Sequence, residues 1–322
     1  MTRVYIQVKR IINNIDFNKI IDNFEKCLFL IKKNNYLYGL DNKYLSDEKD
    51  FIIIDNKFYI IYEMRETDTI KDIVIGTILK MYDHQCKDID LNDLVLKMLT
   101  LLKNNDYYVN KYQQNLLISR VLKNDKTIIN ECCSLISLRN NDQIVQIEKQ
   151  IESEIGKKKY LEYKLLEKFK YDEYMIKMRD IFECLEDPTK LFEYPSNIEK
   201  FSVAYLLALN ILKDYKYKLC DIEMTKPLFS FEKLIVENDK KIKKLLMYKM
   251  INAKRVLFTG KIVKFNLNKV KVSDNLYFFP DEITFINDKK MINKKGDFIL
   301  KLNKQFEIEE GYECFSIDKI LA

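Results

Sequence analysis

The residues best equipped for chemistry stand at the end of one apolar stretch. IVIGTILKMYDHQ, residues 73–85, closes on Lys80, Asp83 and His84, with Cys86 following. A cation, a carboxylate and an imidazole within one helical turn are the groups of acid–base catalysis or of a metal site. His84 is the one histidine in the chain. A zinc site built from two histidines and a carboxylate is therefore impossible within a single chain, and a Ser-His-Asp or Cys-His arrangement must use His84. No GxSxG or glycine-flanked nucleophile stands out to meet it. Two readings of Asp83, His84 and Cys86 stay open. One is a metal or thiol site. The other is a helix end, where the histidine interacts with the C-terminal dipole and the cysteine packs.

A second set of polar residues lies further on. Glu148 and Glu152 are four apart, with Glu154 just beyond. They form either a carboxylate site or an exposed face with i,i+4 partners, such as Glu154 with Lys158. The seven cysteines are Cys27, Cys86, Cys132, Cys133, Cys184, Cys220 and Cys314. Their number is odd, their spacing scattered, and no CxxC occurs, the pattern of reduced, mostly buried thiols in a cytosolic protein. The adjacent Cys132-Cys133 falls in an apolar helical pattern and reads as core. The six glycines are all isolated, which leaves no phosphate-cradling loop.

Composition narrows the partners. The net charge of +6 is the small difference between 55 basic and 49 acidic residues. The basic residues are almost all lysine, and arginine, the residue suited to reading bases and gripping phosphates, is scarce. The runs Lys157-Lys158-Lys159 and Lys240-Lys241-Ile242-Lys243-Lys244 read as solvated helix faces. This argues against nucleic acid as the partner. The N-terminal MTRVYIQVKRIINN lacks the apolar region of a secretory signal, and Phe201–Leu212 is too short to span a bilayer. A soluble, cytoplasmic protein with no membrane partner is expected.

Elements must position these residues. VYIQV reads as strand, and DFNKIIDNFEKCLFLIKK as helix, with Ile20, Ile21, Phe24, Cys27, Leu28 and Ile31 on one face. FIIIDNKFYIIYEM reads as a hairpin turning at Asp55-Asn56. Thr67, Asp68 and Thr69 offer caps for the helix over Ile73–Tyr82, and Asp90 or Asn92 for the helix LNDLVLKMLTLLK. YYVNKYQQNLLISRVLK and KTIINECCSLISL continue the helical spacing. A long charged helical region follows over 142–185, with breaks at Asp187-Pro188 and Tyr194-Pro195. IEKFSVAYLLALNILKDY is apolar nearly all round and reads as a buried helix. After Lys254, RVLFTGKIVKFNL, KVKVSDNLYFF, EITFIN, DFILKLN and FEIEE alternate with period two, a module of about five strands.

Taken together, four segments resemble a family of bacterial cytosolic HExxH zinc metallopeptidases, zincin-like in fold. DNKFYIIYEMRETDTIKDIVIGTILKMYDHQ is similar to that family's hairpin and HExxH helix. SLISLRNND and IEKQIESEIGKKKYLEYK are similar to its arginine-bearing helix and its glutamate helix, and AKRVLFTGKIVKFNL to the start of its β module. The resemblance covers roughly residues 50–270. In one register HExxH falls on Leu79-Lys80-Met81-Tyr82-Asp83, and both histidines are lost, with Lys80 at the general base. Shifted by one, His84 takes the second histidine position, Lys80 the first, and Met81 the glutamate. On the glutamate helix Ile155 replaces the glutamate of an EG pair, while Gly156 and Tyr160 match. A lysine where a dication should sit repels metal rather than binding it.

What the resemblance implies is an α+β fold: a mostly helical zincin-like central region, an N-terminal strand hairpin and a small C-terminal β domain. Three consecutive segments are expected, at 1–66, 67–253 and 254–322. The expected function is a catalytically inactive metallopeptidase-like protein, with no cofactor and no metal, whose cleft binds a peptide or protein partner. The cleft residues are Lys80, Asp83, His84, Glu148, Glu152 and Tyr160, with Lys80 in an ion pair with Glu148 or Glu152. The competing expectation is an enzyme using Lys80, Asp83 and His84, with Cys86 or a tyrosine, for acid–base chemistry without zinc. A third is a nucleic-acid protein acting through an OB-like or other small C-terminal barrel carrying Tyr277, Phe278 and Phe279.

Overall fold

A computed structural model describes residues 1–40, 44–86, 91–101, 105–125, 143–212, 231–251, 253–266, 269–273 and 276–314. KTIINECCSLISL with its Cys132-Cys133 pair, the SLISLRNND segment, Asp90 and Cys220 lie outside the described residues. The fold is α+β, as the sequence predicts. Among the described residues, no helix is long and apolar enough to cross a membrane.

Met1, Val4, Tyr5, Val8, Ile11 and Ile12 recur at three- and four-residue spacing, and all join one core. That helical period prevails over the β-branched character of VYIQV, so the segment is helix α1, Thr2–Asn13, and not a strand. The helix expected next does not form either. Phe17–Lys19 makes a short 3-10 turn, Asn23 takes a φ of 61°, and Leu28–Lys33 is strand β1. Phe29, Leu30 and Ile31 are buried in succession, as in a strand covered on both faces.

Strands β2 (Tyr36–Tyr38), β3 (Tyr44–Leu45), β4 (Phe51–Ile54) and β5 (Lys57–Glu63) complete a sheet of order β3-β2-β1-β5-β4. β1 and β5 run parallel. β4 and β5 form the predicted hairpin. Asp55 (φ 51°) and Asn56 (φ 58°) both take the left-handed conformation that a two-residue turn matching strand twist demands. Helix α2, Ile70–Gln85, then begins at Thr69 with a full capping box: the Thr69 side chain accepts from the Asp72 amide, and Asp72 accepts from the Thr69 amide.

Helices α3 (Leu91–Leu101), α4 (Asn105–Leu122) and α5 (Gln143–Ile151) follow. The helical region expected over 142–185 forms, as several consecutive helices. A π-helical turn, Glu152–Gly156, precedes α6 (Lys157–Phe169), and Lys170 separates α6 from α7 (Tyr171–Glu186). Pro188 opens a 3-10 turn to Glu193, and Pro195 falls in the first turn of α8, Tyr194–Leu212, where a proline costs nothing. α9 is Phe231–Met250.

Eight described strands close the chain, rather than about five: β6 (Ala253–Val256), β7 (Lys261–Phe265), β8 (Lys271–Ser273), β9 (Leu276–Phe279), β10 (Glu282–Asn287), β11 (Lys290–Lys295), β12 (Asp297–Leu302) and β13 (Ile308–Cys314). They form two sheets, β11-β10-β7 and β6-β13-β12-β9-β8, joined where the Ile262 amide donates to the Phe306 carbonyl at 3.0 Å and the Ile308 amide to the Gly260 carbonyl at 2.9 Å. The period-two pattern explains the layers. Tyr277, Phe279, Phe298 and Leu300 join the core that Ile283 and Phe285 of β10 share. Phe278 and Ile299, on the opposite face of their strands, pack with Leu246 of α9.

The chain divides into two compact units, each discontinuous in sequence, where three consecutive segments were expected. One comprises Met1–Ile89 and Glu152–Asp180; the other comprises Asp90–Ile151 and Ile181–Ala322. The core of the first lies on one face of its sheet. It joins Val8 and Ile12 of α1, Phe29 and Ile31 of β1, Ile60 of β5, Ile73, Ile78 and Met81 of α2, and Leu161, Leu165 and Leu166 of α6. A smaller cluster of Leu30, Leu37 and Ile61, with Ile52, Ile54 and Tyr59, covers the other face.

Candidate functional site

The approach of α2 to β5 is set by one glycine. A Cβ at Gly76 would stand 2.1 Å from a ring carbon of Tyr62. Tyr62 cannot swing aside freely, because its hydroxyl donates to Asp68 Oδ2 at 2.9 Å, an oxygen that also accepts from the Arg65 amide at 2.8 Å. With Ile73, Val74, Ile78 and Met81 buried, the last turns of α2 leave Asp83 and His84 exposed and Lys80 half-buried.

Each of the three is already engaged. Lys80 Nζ donates to Asp50 Oδ1 at 3.0 Å and to the Lys49 carbonyl at 3.1 Å. The Asp83 carboxylate lies 2.6 Å from Lys158 Nζ at the start of α6. The His84 ring stacks on Phe58 of β5, with centroids 4.4 Å apart and planes 20° apart, and its centroid is 6.4 Å from that of Phe51 in β4. Gln85 adds a fourth tie: its Oε1 accepts from the Glu25 amide at 3.0 Å, and its Nε2 donates to the Glu25 carbonyl at 2.5 Å. The cluster at the end of IVIGTILKMYDHQ thus fastens α2 to the hairpin, to α6 and to the approach to β1.

The ion pair expected between Lys80 and Glu148 or Glu152 is replaced by Lys80–Asp50. The reason lies in the hairpin. The Ile61 amide donates to the Asp50 carbonyl at 2.8 Å, which extends the β4–β5 ladder by one rung and carries the Asp50 carboxylate to Lys80. Glu148 belongs to the other unit, where it accepts from the Tyr107 hydroxyl at 2.7 Å and from Lys111 Nζ at 2.8 Å. Glu148 and Lys111 are both buried, so their pairing is an internal fixture of that unit. Lys158 pairs with Asp83; the Glu154 side chain lies outside the described residues. Glu152 and Tyr160 are buried in the same unit as Lys80, Asp83 and His84. Burial, with Glu167 and Asp22 adding, pushes the Tyr160 phenol up to about 12, which keeps it a proton donor at neutral pH.

Lys80 spends its protons on two acceptors, and Asp83 is neutralised by a lysine. Among the described residues, no three His, Cys, Asp or Glu side chains are grouped so as to hold a metal ion. Burial raises the Cys184 thiol to about 12 and the Cys314 thiol to about 11, the condition of inert core cysteines.

Sequence reasoning missed what borders this cluster. β4 is an edge of its sheet, yet its residues are Phe-Ile-Ile-Ile. Phe51 is 50% and Ile53 64% exposed. In sequence FIII reads as one arm of a hairpin, and only the strand order reveals it as a margin. Hairpin register adds detail. Ile54 and Lys57 flank the two-residue turn, so Ile54 and Ile52 bond to β5, while the amides and carbonyls of Phe51 and Ile53 face away from it. Both side chains share the α2 side of the sheet with Phe58 and Ile60.

Compared with known proteins, the chain matches no family model, no curated protein and no solved structure.

Proposed function

We propose that this protein is a non-catalytic peptide-binding protein, a metallopeptidase-like layout without the metal chemistry, in which an extended segment of a protein partner adds to the sheet along β4. The observation that carries the reading is the unguarded edge: Phe51 and Ile53 expose apolar side chains and turn their backbone groups outward. Strand addition takes its affinity from such backbone groups and its specificity from alternate side chains. Edges not meant for pairing are blunted, commonly by lysine. β11, an edge of the three-stranded sheet, illustrates this with exposed Lys290, Lys294 and Lys295, whereas β4 carries no charge. The groups flanking the edge, His84 and Lys80, are held in place, His84 stacked on Phe58 and Lys80 paired with Asp50.

The test uses proline as a probe of the outward amide. Peptides selected from a displayed random library are measured against the Ile53→Pro variant by fluorescence polarisation. Ile53 donates nothing to β5, so the variant keeps its fold and loses at least about tenfold in affinity, the equivalent of about 1.4 kcal/mol from one forfeited hydrogen bond and its neighbours. Ile52→Pro, which removes a rung to β5, unfolds the hairpin instead. Selected peptides that bind Ile53→Pro as well as the parent would overturn the reading.

A further inference from the structure

The second unit holds a groove of different character, far in sequence from the cluster on α2. Two adjoining cavities, of about 450 and 360 Å³, share Phe192, Asn238, Ile242 and Lys271 as walls. They run along α9 from Leu234 to Leu245, about 16 Å at the rise of a helix. The larger lies within the size range of small-molecule sites and is walled by Leu99, Tyr108, Ile235, Val270 and Val272.

Its charges are unbalanced. Lys240, Lys243 and Lys271 line the larger cavity against one carboxylate, Asp239. Asp239 is already satisfied, accepting from Ser273 Oγ at 2.8 Å and lying 2.8 Å from Lys243 Nζ. Lys240 and Lys271 have no carboxylate partner among the described residues. In the smaller cavity Glu193 faces Lys190 at 3.2 Å, and Glu237 and Lys241 both line the wall. An apolar wall beside two uncompensated ammonium groups is complementary to a molecule that is apolar for most of its length and anionic at one end.

We infer that this groove binds a small amphipathic carboxylate, its chain against Leu99, Val270 and Val272 and its charged end toward Lys240 and Lys271. The full-length chain is titrated with dansylundecanoate, and the bound probe is displaced with laurate, kept below micelle formation. Laurate displaces the probe, and lauryl alcohol, equal in apolar length but neutral, does so at least tenfold more weakly, about the discrimination expected of a charge-assisted contact. The Lys240→Gln/Lys271→Gln double variant loses a similar factor for laurate and none for the alcohol. Val236 lines the cavity and is 51% exposed, so Val236→Trp narrows the groove without disturbing the core and weakens the probe, with unchanged circular dichroism. No saturable binding, equal affinity for acid and alcohol, or binding indifferent to Val236→Trp would each overturn the inference.

Discussion

A carboxylate held between two lysines shows how single residues contribute in this chain. Glu162 of α6 lies 2.8 Å from Lys177 Nζ and 3.2 Å from Lys159 Nζ. Burial alone would raise its carboxyl. The hydrogen bond from Lys177 and the charges of both lysines outweigh burial and hold it below the usual carboxylate range. The folded value is depressed, so the stability this group contributes is present above its unfolded value of about 4.3 and is lost as pH falls through the folded one. Glu162→Gln is therefore expected to lower the melting temperature at neutral pH and to flatten its decline between about pH 5 and about pH 3. Melting curves of both proteins across that range check it; parallel declines would show that the pair does not titrate as argued. Pairs of this kind at i,i+3, such as Lys159–Glu162, are legible in sequence. The partners of Lys80, Asp83 and His84 were not. Asp50, Lys158 and Phe58 come from other elements, and only the fold brings them to α2.

Elements were legible where their signals are local. The cap of α2 and the Asp55-Asn56 turn are decided within a few residues: of the offered Thr67, Asp68 and Thr69 the structure uses Thr69, with Asp72 closing a capping box, and the turn forms as expected. Elements failed where tertiary burial decides. α1 was taken for a strand, and β1 for part of a helix, because five or six apolar residues fit either period. β11 went unseen because KMINKK is exposed along nearly all of its length and shows no alternation. RVLFTGKIVKFNL was read as one strand although Gly260 divides it. Its φ of 135° suits glycine, and a Cβ there would stand 2.3 Å from the Ile286 carbonyl oxygen. Gly76 gives the sharpest prediction at this scale. On an exposed helix, alanine for glycine gains about 1 kcal/mol of propensity. Here the new methyl meets a tyrosine ring tethered by Asp68, and overpacking of that kind costs about 1–3 kcal/mol. Gly76→Ala is expected to destabilise on balance, and Tyr62→Leu to relieve much of that cost in the double variant. Chemical denaturation of the four proteins measures the coupling; additive effects would mean that α2 and β5 do not set each other's spacing.

For the whole molecule, the decisive fact is that neither compact unit is one stretch of chain. Reading along the sequence suggests a boundary after the hairpin, near residue 66, because the composition turns from strand-like to helical there. Burial places it elsewhere. α2 belongs with the sheet, and so does α6, whose Leu161, Leu165 and Leu166 lie in the same core as Ile31 and Ile60 although about a hundred residues or more separate them. Three leucines at about 1.5–3 kcal/mol each amount to roughly 4.5–9 kcal/mol, against a net stability of about 5–15 kcal/mol for an ordinary domain. A fragment of residues 1–89 alone should therefore lack a dispersed amide spectrum. The same residues joined by a flexible linker to 152–180 should recover cooperative melting. The three-segment reading makes the opposite demand, since a piece ending at the hairpin would then suffice. Amide spectra of the two fragments, recorded side by side, choose between a fold assembled by chain order and one assembled by the apolar faces of α2 and α6 across a long insertion. Peptide binding at β4 can be tested in the linked fragment as soon as it folds, because β4, Lys80 and His84 all lie within it.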